Sequence, residues 1–276
     1  MLSERQILSS QTSPQSPDRV HTRVVIALLG NLARDLLPQP RVGGGPFHAA
    51  RALALQSAPV RIYARCADDD RDALFSPLEA LGTPATFIAG QRTATFAFSY
   101  DGDRREMEVA ALGDVWRPDD VPSLACVDWV HVAPLARSDF PLATIAEIAA
   151  HAQVAFDGQG LVRAPELGPL QLDANYDPEL LRHISVLKLS DEEAEILGDP
   201  ARLGVREVLV THGSRGATVY TGGTIEQVES DPIDADPTGA GDAFCISYVV
   251  GRAGGLEPLD AARRACGIVS ELLRGS

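Results

Sequence analysis

Residues 128–157 read DWVHVAPLARSDFPLATIAEIAAHAQVAFD. DWVHVAP at 128–134 is a short apolar run of the kind that makes a buried strand, and QVAFD at 153–157 is another. FPLATIAEIAAHA at 140–152, between them, reads as a helix. Strand, helix and strand in that order predict parallel strands joined by a crossover, with helices covering the sheet. The pattern continues downstream. A short helix is expected at 177–184, a strand SVLKL at 185–189, a helix SDEEAEILG at 190–198 and a strand EVLVT at 207–211. ATVYT at 217–221 and TIEQVES at 224–230 form a hairpin turned at Gly222-Gly223, and two helices close the chain at about 239–252 and 257–273.

Upstream, RVVIALLG at 23–30 reads as a buried strand, and GGGPFHAARALALQ at 43–56 as a glycine turn feeding a helix. PVRIYARC at 59–66 is a further strand, followed by a helical stretch around 71–81. One stretch breaks the alternation. ATFAFSY at 94–100 and REMEVAAL at 105–112 flank an Asp-Gly turn, a strong hairpin signal, with Phe96, Phe98 and Tyr100 on one face. A hairpin has no place inside a parallel sheet, so it is expected as a small flap beside it. There is no internal repeat. The whole reads as an α/β chain with a mainly parallel sheet.

The 276 residues are 45% hydrophobic, enough for a sizeable core. A net charge of −14 argues against nucleic acid or an anionic membrane as partner, and leaves room for a local basic pocket. The four cysteines form no CxxC pair and read as buried, reduced thiols of a cytoplasmic protein. Residues 1–22, rich in Ser, Gln, Thr and Pro, are expected to be a mobile tail without the features of a signal peptide. VVIALLG at 24–30 is too short to span a membrane. Residues 23–276 are expected to be one domain.

In sheets of this class, ligands bind beyond the carboxyl ends of the strands. The segments to inspect are 30–35, 157–163, 190–193, 211–216 and DPTGAGDAF at 236–244. In the last of these, Gly239, Ala240 and Gly241 let backbone N–H groups point outward at a helix start, which suits a phosphoryl anion. Asp242 would repel that anion unless it has a task of its own. The task its position offers is general base, accepting the proton of a hydroxyl that attacks phosphorus. A plain helix cap by Thr238 or Asp242 is the alternative, and it leaves the glycines unexplained.

DPTGAGDAF resembles the C-terminal signature of the ribokinase-like (PfkB) family of small-molecule kinases. The resemblance runs from about Val24 to the last helix. It implies a ribokinase-like three-layer sandwich with a small β lid, formed mainly by about 85–112, over the substrate. It also implies ATP and magnesium. On the acceptor side, Gly43 and Gly44 match the family's glycine pair and Asp35 its aspartate after the first strand. His48 stands where the family often has Asn, and is either a substrate contact or a helix-surface residue. On the donor side, Thr211, Gly213 and Gly216 of THGSRG match the family's Thr-x-Gly-x-x-Gly, and Lys188 and Thr238 are placed with the ATP phosphates. Ser190-x-x-Glu193 stands for the family's Asn-x-x-Glu, whose glutamate helps organise magnesium. The same spacing is a capping box. Arg163 of DGQGLVR is a candidate phosphate contact, or else part of a surface salt bridge. Adenine is expected against the last two helices near 262–267. Together with GNLARD, DGQGLVR is similar to the inositol kinase-like subgroup.

The resulting expectation is an ATP-dependent kinase for a sugar, inositol or nucleoside, with a homodimer through the lid as a family habit. A kinase-fold binding protein without activity is the first rival, permitted by His48 and Ser190. A Rossmann dehydrogenase is the second, and ALLGNLARD lacks the GxGxxG it needs.

Overall fold

The structure is a computed structural model that describes residues 25–37, 39–101, 104–233 and 235–275. The expected tail, the first residues of the first strand and the turn at 102–103 lie outside the described residues, as does the Tyr100 side chain.

The chain begins with β1 (Ile26–Asn31), β2 (Ala33–Leu36), β3 (Arg41–Gly43), α1 (Gly45–Leu53), β4 (Val60–Ala67), α2 (Arg71–Glu79) and β5 (Ala85–Gly90). Then come β6 (Ala94–Asp101), β7 (Arg104–Ala111), β8 (Trp129–Ala133), α3 (Leu142–Ala149), β9 (Gln153–Asp157), α4 (Gln159–Val162) and β10 (Gly168–Pro169). The remainder is β11 (Val186–Ser190), α5 (Asp191–Leu197), β12 (Glu207–Thr211), β13 (Gly216–Thr221), β14 (Thr224–Glu229), α6 (Ala240–Ala253) and α7 (Pro258–Arg274). Among the described residues, nine strands make the large sheet in the order β14-β13-β12-β11-β9-β8-β1-β4-β5. All its pairings are parallel except β12–β13 and β13–β14. Five strands make a second sheet in the order β10-β7-β6-β2-β3.

Side chains alternate across the large sheet, as the strand period of two requires. Ile26 and Leu28 of β1 pack with α1, α2, α6 and α7, while Ala27 and Leu29 pack with α3, α4 and α5 on the other face. The result is three layers. The same phase puts Val186 of β11 toward α6 and Leu187 and Leu189 away from it. Lys188 therefore points toward α6, as do Asp157 and His131 at the matching phase of β9 and β8.

The structure changes several expectations. Residues 85–90 do not belong to the flap. β5 pairs in parallel with β4 at the edge of the large sheet, where its mixed burial suits an edge strand. The small sheet instead recruits β2, β3 and β10 around the β6–β7 hairpin. Its aromatic face turns inward: Phe96 is buried with Ala33, Val109 and Leu135, and Phe98 packs beside them. The segment at 178–183 is a 3₁₀ helix, opened by Asp177, whose carboxylate accepts the Glu179 N–H at 3.0 Å. Of the four cysteines, Cys66 and Cys245 are buried, but Cys266 is half-buried and Cys126 is exposed, in the loop before β8. Among the described residues, no helix is long and apolar enough to cross a membrane.

Candidate active site

The turn before α6 is built by Gly239, which adopts φ 80°, in the left-handed region that favours glycine. A Cβ there would also overlap the His48 ring of α1. The Ala240 N–H is taken by the Pro237 carbonyl at 2.9 Å. This removes the Ala240 N–H from the expected donors, and the turn stands at the positive end of a 14-residue helix. Thr238 closes the turn from the other side, its N–H and hydroxyl both donating to Asp236 Oδ1, at 3.0 and 2.6 Å.

Asp242 lies in the first turn of α6, half-buried, and its Oδ1 is enclosed without a hydrogen-bond partner among the described residues. Gly45 allows α1 to come this close, since a Cβ at that position would sit 2.9 Å from Oδ1. Burial pushes the carboxyl up to about 7, with Asp157 pushing the same way and Lys188 and Arg163 opposing. A carboxyl poised near neutral pH, with an oxygen left without a partner among the described residues, has the character of a general base.

Beneath the turn lies a buried ion pair. Asp157 and Lys188 are direct neighbours on the adjacent parallel strands β9 and β11, so their side chains share a face. Lys188 Nζ lies 3.3 Å from Asp157 Oδ2, with both side chains under a tenth exposed. A Cβ on Gly241 would fall 2.8 Å from Nζ, so the ammonium abuts the first turn of α6. Burial works against that charge, yet Asp157, Glu193 and Asp242 together hold the ammonium above its usual range.

Ser190 and Glu193 do form a capping box. The Glu193 N–H donates to Ser190 Oγ at 3.2 Å, and the Ser190 N–H donates to Glu193 Oε2 at 2.8 Å. Burial raises the Glu193 carboxyl, against the pull of Lys188. Among the described residues no three His, Cys, Asp or Glu side chains gather as a metal cage. A single carboxylate near donor phosphates nonetheless suits magnesium, which keeps several waters and leans on phosphate oxygens.

A cavity of about 450 Å³ opens on the other side of the turn. Lys188, Thr211, Gly213, Gly216, Ala240 and Gly241 line its polar end. Phe244 of α6 with Cys266, Val269 and Leu273 of α7 make an apolar end. The α7 wall therefore runs further along the helix than 262–267, because Ala261, Ala262 and Ala265 face the core. Thr238 and Arg163 do not line this cavity. Arg163 is half-buried after α4 and makes no ion pair among the described residues.

The acceptor-side residues meet across β2, β3 and α1. Asp35 of β2 is buried, and its carboxylate lies against Gly43, where a Cβ would fall 2.7 Å from both oxygens. Gly44 opens α1 with φ 93°. His48 is not a helix-surface residue. It is buried against Gly239, and burial, with Arg51 acting the same way, pushes its imidazole down to about 4 against Asp236. Behind these lies a network that sequence reading missed. Asn31 Nδ2 donates to Asp139 Oδ2 at 3.2 Å, Trp116 Nε1 donates to Asn31 Oδ1 at 2.9 Å, and the Leu135 N–H donates to Asp139 at 2.8 Å. Asn31 is a polar residue within the apolar LLGNL, which was the available signal, whereas Asp139 in ARSDFP carried none. Asp157 carried the same signal as Asn31 and was matched only by type.

The profile of the pfkB family of carbohydrate kinases matches residues 38–273. The chain belongs to this family. Inositol 3-kinase of Zea mays is 30% identical over 206 residues, a match spanning 73% of this chain and 53% of the maize protein. Fructokinase of Klebsiella pneumoniae is 27% identical over 299 residues, spanning 91% of this chain and 94% of that one. A pyrophosphate-dependent kinase in the ribokinase family, solved with a pyrophosphate analog and myo-inositol, superposes with a TM-score of 0.78 at 23% identity, over 91% of this chain and 95% of that one. At that identity the likeness concerns the fold, which for this pfkB-family chain is the ribokinase-like one.

Proposed function

We propose that the protein transfers the γ-phosphoryl group of ATP to a hydroxyl of a neutral polyol, of the inositol or sugar class. The carrying observation is Asp242, whose enclosed Oδ1 has no partner among the described residues, in the first turn of the helix that Gly239 opens. It takes the proton of the acceptor hydroxyl as that oxygen bonds to phosphorus and the bond to the β-phosphate oxygen breaks. The products are the phosphorylated polyol and ADP. The N–H groups of Gly239 and Gly241 and the Lys188 ammonium face the charge that develops on the phosphoryl oxygens. Arg163 adds a cation that makes no ion pair among the described residues. Magnesium, organised in part by Glu193, would neutralise donor phosphates. Asp35, Gly43, Gly44 and His48 hold the acceptor, and the small sheet closes over it, keeping out water that would compete as acceptor. The maize and Klebsiella relatives, named for inositol and fructose, support a polyol.

ATP is favoured over pyrophosphate by the apolar end of the cavity, which suits a purine and which pyrophosphate would leave unused. The test is a panel of inositols, sugars and nucleosides with ATP or pyrophosphate as donor, run on wild type and Asp242→Asn. The proposal expects ATP-dependent turnover that the variant loses by roughly a hundredfold or more. A wild type that phosphorylates nothing on the panel leaves the inactive binding protein as the reading, and pyrophosphate-only turnover removes ATP.

A further inference from the structure

The inference concerns Asp157 and rests on the reading of Asp242 as base. Lys188 stands between two carboxylates. Its Nζ meets Asp157 at 3.3 and 3.4 Å, and it also abuts Gly241, the residue before Asp242. Yet the described bonds of the ammonium go to Asp157, and Asp242 Oδ1 is left without a partner. We propose that Asp157 is a positioning residue that claims the Lys188 ammonium and so keeps the base Asp242 unpaired. A carboxylate locked to an ammonium is a weak base, whereas one facing another carboxylate across a buried space holds its proton more tightly. Asp157 thereby does two things at once. It keeps a full positive charge under the donor turn, and it stops that charge from quenching the base beside it.

The groups facing Asp242 are Asp157 on β9, Lys188 on β11, Glu193 on α5 and Arg163 after α4. Cys245 lies within α6, and its thiol is pushed well up by burial. His131 on β8 faces the Asp157–Lys188 pair, fully buried, and burial pushes its imidazole down to about 4. His48 on α1 stands against Gly239. Near neutral pH both imidazoles are uncharged, so Lys188 and Arg163 are the cations that act on the base.

The experiment compares wild type with Asp157→Asn, an isosteric change that removes the charge and keeps a hydrogen-bond acceptor. Carbon NMR of protein labelled with carbon-13 at the aspartate carboxyls follows the titration of Asp242, with Asp242→Asn assigning its signal. In Asp157→Asn the Asp242 midpoint is expected to fall by about one to three pH units. A crystal structure of the variant is expected to show Lys188 Nζ within hydrogen-bond reach of Asp242. A midpoint that stays or rises overturns the proposal. So does an ammonium that keeps its place, because direct repulsion between the two carboxylates would then be the whole effect. A purely structural Asp157 would lower the melting temperature and leave the midpoint where it was. Should the variant fail to fold in buffer, trimethylamine N-oxide restores the compact state for the same measurement. Neither readout needs turnover, so a wild type without kinase activity sinks the proposed function and leaves this result to be judged separately.

Discussion

At Gly239 the backbone adopts φ 80° with the His48 ring pressed against the Cα. Gly239→Ala meets both obstacles. We expect a loss of at least about 1–2 kcal/mol in urea unfolding from the backbone alone, and a loss of activity as the turn shifts. Three residues on, Asp242 makes two pH predictions. As base it must be ionised, so kcat/KM should rise with pH through about 7. As an acid with its midpoint raised above the unfolded value, it favours the folded state at low pH, and that contribution is lost as pH rises through about 7. The window runs from near 4, the unfolded value, to about 7, at roughly 1.4 kcal/mol per pH unit of displacement. Asp242→Asn should therefore be more stable than wild type at pH 8 and lose that advantage by pH 4, by thermal or urea unfolding. Asp242 and its glycines were legible in the sequence because their types make little sense apart from an anion and a hydroxyl. The task of Asp157 was not, since a strand-end aspartate reads the same whether it pairs with a lysine or faces solvent.

At the scale of elements, α5 has two demands on one residue. Glu193 caps its own helix through the Ser190 N–H, and it faces the donor side next to Lys188. Ser190→Ala removes the side-chain acceptor for the Glu193 N–H and should cost about 1 kcal/mol of stability. If the cap also holds Glu193 in place for magnesium, the variant should need more magnesium for half-maximal rate, a titration that separates the two roles. The βαβ alternation was readable because each strand is a short apolar run and each crossover helix has its own pattern. The small sheet was readable only as its hairpin. β2 and β3 are 4 and 3 residues long and β10 is 2, too short to carry a period; β2 joins through β6, β3 through β2 and β10 through β7. β5 was misplaced for a related reason: an edge strand and a flap strand share the same mixed burial.

For the whole molecule, the large sheet brings Asp157 and Lys188 to its carboxyl edge below Asp242, and the small sheet contributes Asp35 and Gly43. Exposed Arg41 of β3 pairs with Asp236 of the donor turn at 3.3 Å, a surface contact worth at most about 1 kcal/mol. The donor cavity offers a sharper handle. Ser270 lies on its α7 wall, and Ser270→Trp should fill the apolar end. ATP-dependent turnover should fall at least tenfold through KM, while any pyrophosphate-dependent turnover should persist; steady-state kinetics with both donors decides. The exposed Cys126 has a practical consequence. Burial pushes the thiols of Cys66 and Cys266 up to about 11 and pushes that of Cys245 well up too, so at neutral pH they react slowly. Cys126 sits before β8, at the opposite end of the strands from Asp242. The native chain thus has its own attachment point for a single maleimide dye, and fluorescence can follow it through catalysis without a cysteine being added or removed.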